Sequence, residues 1–288
     1  MVDDDYPYDD YGVDYDSDAE ERPPDPAQES AESKLRALFE ERSEEVFFSR
    51  QLEVQNEDEF FHWITNRALR DLASTGVVFS ETRELKTGGT IKLFWHRGYR
   101  YYKRSAKRLV DLVEEYADPN IGGAIGLHGE LVVLEGFAGF QFVMRGRDTK
   151  VHRDKRWERS GHDLDFIFEK DSVAYGVEVK NTLSYMEYGE FQTKIKMCAE
   201  LGLKPVFVVR MMPRTWIYEL QQVGGFALIF KYQLYPWSHK ELAGRVATEL
   251  GLPVDAPRAL QKGTVARFVK WHEKTKGQAV GSMQVVVI

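Results

Sequence analysis

The sequence predicts an α/β protein, with a mixed β-sheet flanked by helices, a small α+β region before it and a disordered acidic tail at the start. Three observations carry that expectation. Residues 161–181 (GHDLDFIFEKDSVAYGVEVKN) read as two strands joined by a turn, with Leu164, Phe166 and Phe168 alternating against Asp163, Asp165, Ile167 and Glu169. Residues 188–201 then follow a helical period, Gly202 stops it, and residues 204–210 (KPVFVVR) read as a further strand, so that strand, helix and strand make a crossover. Finally, residues 1–33 hold thirteen Asp or Glu against one basic residue, Arg22, with almost no aliphatic side chain, which is the composition of a disordered segment.

The rest of the chain fits around these features. At 288 residues and 43% hydrophobic content, the protein is long enough for one or two domains with a substantial core. Removing the tail's net −12 from the chain's −7 leaves +5 for residues 34–288, so the body is mildly basic. Residues 34–45 are helical in pattern and 46–54 (VFFSRQLEV) extended. A helix over 59–73, capped by Asn56 or Asp58, places Phe60, Ile64, Ala68 and Leu72 on one face. Residues 77–85 and 90–95 make a hairpin around Lys86-Thr87-Gly88-Gly89. A long amphipathic helix begins within 97–108 and ends near Tyr116, after which Asp118-Pro119-Asn120 and Gly122-Gly123 mark a boundary.

Residues 121–137 suit a buried helix through Ile125, Leu127, Leu131, Val132 and Leu134, and Glu130 on that apolar helix needs a partner. Residues 139–145 read as a strand and 146–161 as a polar, basic link. Past residue 210, the pattern gives a helix at 216–222, a strand at 226–232, a helix at 238–250 capped by Ser238, a helix near 259–274 and an apolar end at 283–288 suited to an edge strand or a docking tail. The domain reading is therefore 1–33, 34–117 and 118–288.

The chemistry concentrates at the hairpin. In the second strand, residues 173–180, Glu178 and Lys180 lie two apart and project to one side, away from Val177 and Val179. If Asp165 faces the same way from the neighbouring strand, two carboxylates and an ammonium converge. Such carboxylates repel unless a cation lies between them, and a hard divalent ion with oxygen ligands, Mg²⁺ or Mn²⁺, is suited to that place. The use of such a site is phosphodiester hydrolysis, with Lys180 orienting the attacking water or steadying the charge that develops. Asp163 shares the face of Asp165 and competes for the ligand role.

Asp165, followed after twelve residues by Glu178-Val179-Lys180 with apolar neighbours, resembles the PD-(D/E)XK nuclease superfamily, the restriction-endonuclease-like fold. The motif's proline is missing, with Leu164 in its place. The resemblance spans roughly residues 118–236 in the order helix, strand, hairpin, helix, strand. It implies a mixed sheet flanked by helices and a divalent metal held by Asp165 and Glu178. Several branches carry an acid on the preceding helix that completes the metal site, and Glu130 matches that position; related branches carry a glutamine where Gln192 falls, with Lys196 one turn on, and either side chain would touch a phosphate. His162 adjoins the motif as a second, weaker candidate for a base.

A nucleic-acid surface is the second expectation. Between residues 86 and 108 stand Lys86, Lys92, Arg97, Arg100, Lys103, Arg104, Lys107 and Arg108, with no acid and with Trp95, Tyr99, Tyr101 and Tyr102 interleaved. Helix followed by basic-tipped hairpin resembles a winged-helix domain, which implies DNA contact. Arg153, Lys155 and Arg156 in the link ahead of the motif add phosphate-binding charge. The sequence thus reads as a Mg²⁺-dependent DNA endonuclease, and a homodimer is what cutting both strands would call for. The alternatives are a catalytically inactive DNA-binding protein on the same fold and an RNA-directed nuclease. No GxxxxGKS loop is present, so no nucleotide cofactor is expected, and no signal pattern or long apolar run points to a membrane, so the expected location is cytoplasmic. The single cysteine, Cys198, reads as a packing residue.

Overall fold

The computed structural model describes residues 25–277, so the disordered reading of residues 1–24 and the apolar end at 283–288 lie outside the described residues. The chain forms two compact units, one running through Gly122 and including Arg245–Leu252, the other comprising Gly123–Gly244 and the chain from Pro253 onward.

The first unit is α+β. Its elements are α1 (Pro26–Glu41), β1 (Val46–Phe48), α2 (Ser49–Gln55), α3 (His62–Ser74), β2 (Val78–Glu84), β3 (Thr90–His96) and α4 (Tyr102–Tyr116). Helix α1 starts eight residues earlier than the composition suggests, so the tail reading fails for residues 26–33. Asp25 caps it by accepting the Ala27 amide at 3.0 Å, Pro26 sits in the first turn, and Ala31, Leu35 and Phe39 recur every four residues on the buried face. Acidic residues on the outer face hid that stripe. Extended structure ends at Phe48, and residues 49–55 are helical instead. Asn56 does not cap α3, because its side chain turns back to the Leu52 carbonyl at 2.7 Å and Phe61 occupies the cap position. Strands β1, β3 and β2 pair antiparallel in that order, with Gly88 and Gly89 in the hairpin loop. Residues 97–101 form a turn rather than helix, and α4 begins where Tyr102 stacks on Trp95 at 4.1 Å.

The second unit carries α5 (Pro119–Gly139) from Gly123 onward, β4 (Val143–Thr149), β5 (Val151–His152), β6 (Lys155–Arg156), β7 (Leu164–Lys170), β8 (Val173–Lys180), α6 (Tyr188–Leu201), β9 (Lys204–Val209), α7 (Arg214–Gln222), β10 (Phe226–Ile229), β11 (Gln233–Leu234), the start of α8 (Lys240–Leu250), whose residues from Arg245 belong to the first unit, β12 (Val254–Asp255) and α9 (Lys262–Thr275). Five strands form one mixed sheet in the order β10-β9-β8-β7-β4. Strands β4, β7 and β8 are an antiparallel meander; β8, β9 and β10 run parallel, with α6 and α7 as the crossovers. The described residues thus form an α/β protein with nine helices, this sheet and the smaller antiparallel one.

The β7–β8 turn is tighter than the sequence suggested. Glu169 and Lys170 still pair within β7, and only Asp171 and Ser172 turn, with φ of 48° and 62°, the two-residue geometry that matches strand twist. Helix α6 ends on Gly202 in the left-handed region at φ 73°, as its sequence position implies. The first strand comes later than residues 139–145: α5 runs through Gly139, Gln141 turns the chain at φ 65°, and β4 starts at Val143. The link 146–161 is not simply a loop, since β4 continues to Thr149 and β5 and β6 fold back as a short hairpin. Ser238 does not cap α8; it lies in a 3₁₀ turn with its hydroxyl on the His239 ring at 3.0 Å, and the helix begins at Lys240.

Both faces of the central strands are covered. Val132, Val133 and Phe137 of α5 and Phe268 of α9 pack on Phe166, Phe168, Tyr175 and Val177. On the opposite face Ile167 and Ala174 pack on Met197, Cys198 and Leu201 of α6. The face of β7 that carries Asp165 is thus apolar again at Ile167, as its sequence implied, and Glu178 on that face is buried with it. On α6, Phe191, Ile195 and Cys198 face inward but Ala199 is exposed. By length and hydropathy α5 passes as a membrane span, yet it buries Ile125, Val132, Val133 and Phe137 within the unit; Leu127 and Leu131, expected inside, are about half exposed at 49% and 46%.

Candidate active site

Strand pairing brings the two acids together. The register Phe166↔Val177 makes Asp165 and Glu178 the next cross-strand pair, and directly opposed residues share a face. The Asp165 carboxylate accepts the Val179 amide at 2.6 Å through Oδ2, and no described residue donates to Oδ1. Asp163 precedes β7, and it is its backbone carbonyl that turns to this cluster, accepting from the Lys194 ammonium.

Lys194 is the residue the sequence reading missed. It rises from α6 and places its ammonium 2.5 Å from Glu178 Oε2, with both side chains almost wholly buried. The signal was present: Lys194 lies three residues after Phe191 and four before Cys198, on the apolar stripe of its helix. A lysine there must be paired. Glu190, also unforeseen, approaches Lys180 at 2.9 Å, while Lys180 stands 3.6 Å from Glu178 Oε1.

Electrostatics follow from burial. Desolvation, opposed by the Val179 amide and the Lys194 charge, pushes the Asp165 carboxyl up to about 6. Desolvation and the neighbouring Asp165 charge push Glu178 up to about 7, even though Lys194 and Lys180 pull the other way. Burial works against the charge on Lys180, but Glu178 and Glu190 together outweigh it and hold the ammonium protonated.

Glu130 finds the partner its apolar helix demanded: Arg147 of β4 binds it at 2.8 Å. Its charge reaches Asp165 and raises that carboxyl further. The helix is fixed beside the site by Asn181, the residue after Lys180. The buried Asn181 amide donates to the carbonyls of Ile125 and Leu234 at 2.8 and 2.7 Å, and its oxygen accepts the Leu234 amide at 2.6 Å. Gly129 permits this approach, since a Cβ there would lie 2.6 Å from the Cβ of Asn181. Gly129→Ala is therefore expected to destabilise the fold by about 1–3 kcal/mol, and chemical denaturation measures it; a change within error would mean that α5 shifts freely past Asn181.

Gln192 does not join the cluster. Its amide donates to Glu219 at 2.7 Å and to the Tyr188 hydroxyl at 3.0 Å, facing α7, which fits a structural role on α6. His162 is engaged by the Ser160 hydroxyl at 3.0 Å. Among the described residues, the three metal-ligating side chains whose ligand atoms fall within 4.8 Å of one another are instead Asp171, His272 and Glu273. There Lys276 already lies 3.0 Å from Asp171 and 2.8 Å from Glu273, and His272 is tied to the Tyr175 hydroxyl at 2.7 Å, so the cluster is charge-compensated.

The basic stretch divides into two sets. Lys86 bonds Glu114 at 2.6 Å and Arg108 bonds Glu249 at 2.8 Å, acids distant in sequence, and Lys107 bonds Asp111 one turn on at 2.6 Å, so these three are partly neutralised. Arg97, Arg100, Lys103 and Arg104 are exposed and make no ion pair among the described residues; Lys92 lies over the Phe94 ring at 5.6 Å. Arg153, Lys155 and Arg156 are exposed around the β5–β6 turn, with Arg153 within 3.8 Å of Glu169.

The donor set suits a hard divalent cation. Asp165 Oδ1 is undonated, Glu178 Oε1 has only a long approach from Lys180, and both belong to acids whose burial disfavours their charge. Glu130, expected to complete the metal site, is instead held by Arg147 and acts on Asp165 through its charge. The chain matches no protein-family model, no curated protein and no solved structure.

Proposed function

We propose that the protein is a divalent-metal-dependent DNA endonuclease of the PD-(D/E)XK type, with Mg²⁺ or Mn²⁺ as cofactor. The observation that carries the reading is the cross-strand pair Asp165 and Glu178, with Lys180 projecting beside them, at the ends of adjoining strands in a sheet whose helix, meander, helix, strand order is that of the resemblance. Asp165 and Glu178 would hold the metal, and Glu130 would tune their charge. When bound, the ion supplies a positive charge beside the phosphoryl group and a water of lowered pKa.

The chain's own groups supply the rest. Lys180, one-third exposed and held protonated by Glu178 and Glu190, orients the attacking water by donating to it and offsets the charge that grows on the phosphoryl oxygens. Arg97, Arg100, Lys103 and Arg104 supply phosphate-neutralising charge in the first unit, whose helix and hairpin order supports the winged-helix likeness. Affinity for DNA then falls steeply with salt.

Lys194 favours a second reading, that of a DNA-binding protein without catalysis, because it already neutralises one acid of the pair. Plasmid cleavage separates the two. Supercoiled DNA should be nicked or linearised with Mg²⁺, left intact with EDTA, and left intact by Lys180→Ala, whereas DNA binding by this variant persists. Retention of the plasmid by the wild type at every Mg²⁺ and Mn²⁺ concentration, with no cutting, would favour the second reading.

A further inference from the structure

We infer that Lys194 is a built-in cation that takes the place of a second metal ion, so that the site accepts one divalent ion per chain. The inference rests on the nuclease reading and deepens it. Lys194 reaches Glu178 Oε2 and the Asp163 carbonyl oxygen, two hard oxygen donors of the kind a divalent ion would take, and its side chain is 5% exposed. An ammonium in that position satisfies both donors and cannot be exchanged with solvent as a bound ion can.

Charge leads to the same stoichiometry. Glu130 is offset by Arg147 and Glu190 by Lys180, which leaves Asp165, Glu178 and Lys194 with a net charge of −1. One divalent ion turns that to +1. A second would make it +3 in a buried setting, where uncompensated charge is costly. The donors are divided in the same way. Asp165 Oδ1 and Glu178 Oε1 are left to an ion, while Glu178 Oε2 is committed to the lysine.

The inference predicts a count rather than a rate, so metal binding tests it directly. Mn²⁺ is titrated into the full-length protein without DNA, with bound ion followed by electron paramagnetic resonance and confirmed by calorimetry. Wild type should bind one Mn²⁺, and Asp165→Asn should lose it. Lys194→Ala, which vacates the ammonium and frees both donors, should bind two, with the spin coupling of neighbouring Mn²⁺ ions. Lys194→Arg, which keeps the charge, should stay at one.

Two ions in the wild type, or a single ion in a Lys194→Ala variant with native circular dichroism, would overturn the inference and leave the nuclease reading standing. No ion in the wild type would overturn both. Because the wild-type count needs no variant to fold, an unfolded Lys194→Ala still leaves the central claim exposed to refutation.

Discussion

Asp165→Asn is expected to abolish metal-dependent cleavage, by roughly a thousand-fold or more, and at the same time to make the metal-free protein more stable above neutral pH. The two effects share one cause. Burial raises the Asp165 carboxyl from 3.8 to about 6, so the fold favours the neutral acid. Stability from this group is then fully present below about pH 4 and is lost as pH rises to about 6; Glu178 repeats the pattern up to about 7. A shift of about two units corresponds to an upper bound of ~3 kcal/mol.

Thermal unfolding in EDTA from pH 4 to pH 8 should therefore show declining stability in the wild type and a shallower decline in Asp165→Asn. Adding Mg²⁺ at pH 8 should raise the wild-type Tm and leave the variant unmoved, because an ion that binds the native state stabilises it. A variant less stable than wild type at pH 8 in EDTA would refute this account of the site.

The second large effect belongs to the buried ion pair. Lys194→Met leaves the Glu178 carboxylate without its counter-charge and is expected to cost on the order of 3–5 kcal/mol at pH 8, whereas Glu178→Gln, which removes an acid whose burial already favours its neutral form, is expected to cost less. The double variant should recover much of that loss, since two neutral side chains of similar size need no charge compensation. Urea unfolding of all four proteins gives the coupling energy, and strict additivity would mean that the 2.5 Å approach contributes nothing to stability. Catalysis behaves differently, because the double variant lacks a carboxylate the metal needs and should remain inactive however well it folds.

Much of this was legible in sequence, and what was not has physical reasons. The β8 strand and α6 helix were read to the residue, because alternating valines and a four-residue apolar stripe leave few other solutions. Period-two geometry put Glu178 and Lys180 on one side of β8, while the choice of Asp165 over Asp163 came from the resemblance. The first two turns of α1, residues 26–33, were missed because composition was weighed over the Asp25-Pro26 start signal. The extended reading of residues 49–54 failed because Gln51 and Gln55 form their bonds to a carbonyl nearly two hundred residues away. Lys194 and the acids that neutralise Lys86 and Arg108 also act across large separations, and no local window holds both partners. The placement of Gln192 near phosphate came from resemblance rather than from its own helix face, and it was the site residue that the packing turned elsewhere.

The chain leaves the first unit near Gly122 and sends Arg245–Leu252 back to it. Leu250, 3% exposed, belongs to that returning segment, and its carbonyl takes the amides of Gln51 and Gln55 at 3.0 and 2.8 Å. A fragment ending at residue 122 would thus carry two stranded glutamine donors and a missing piece of its interior, and one beginning at residue 123 would drag a displaced strip of greasy surface into solvent. Neither half is a free-standing module, and expression of either alone should yield aggregate rather than a working binding domain or a working nuclease.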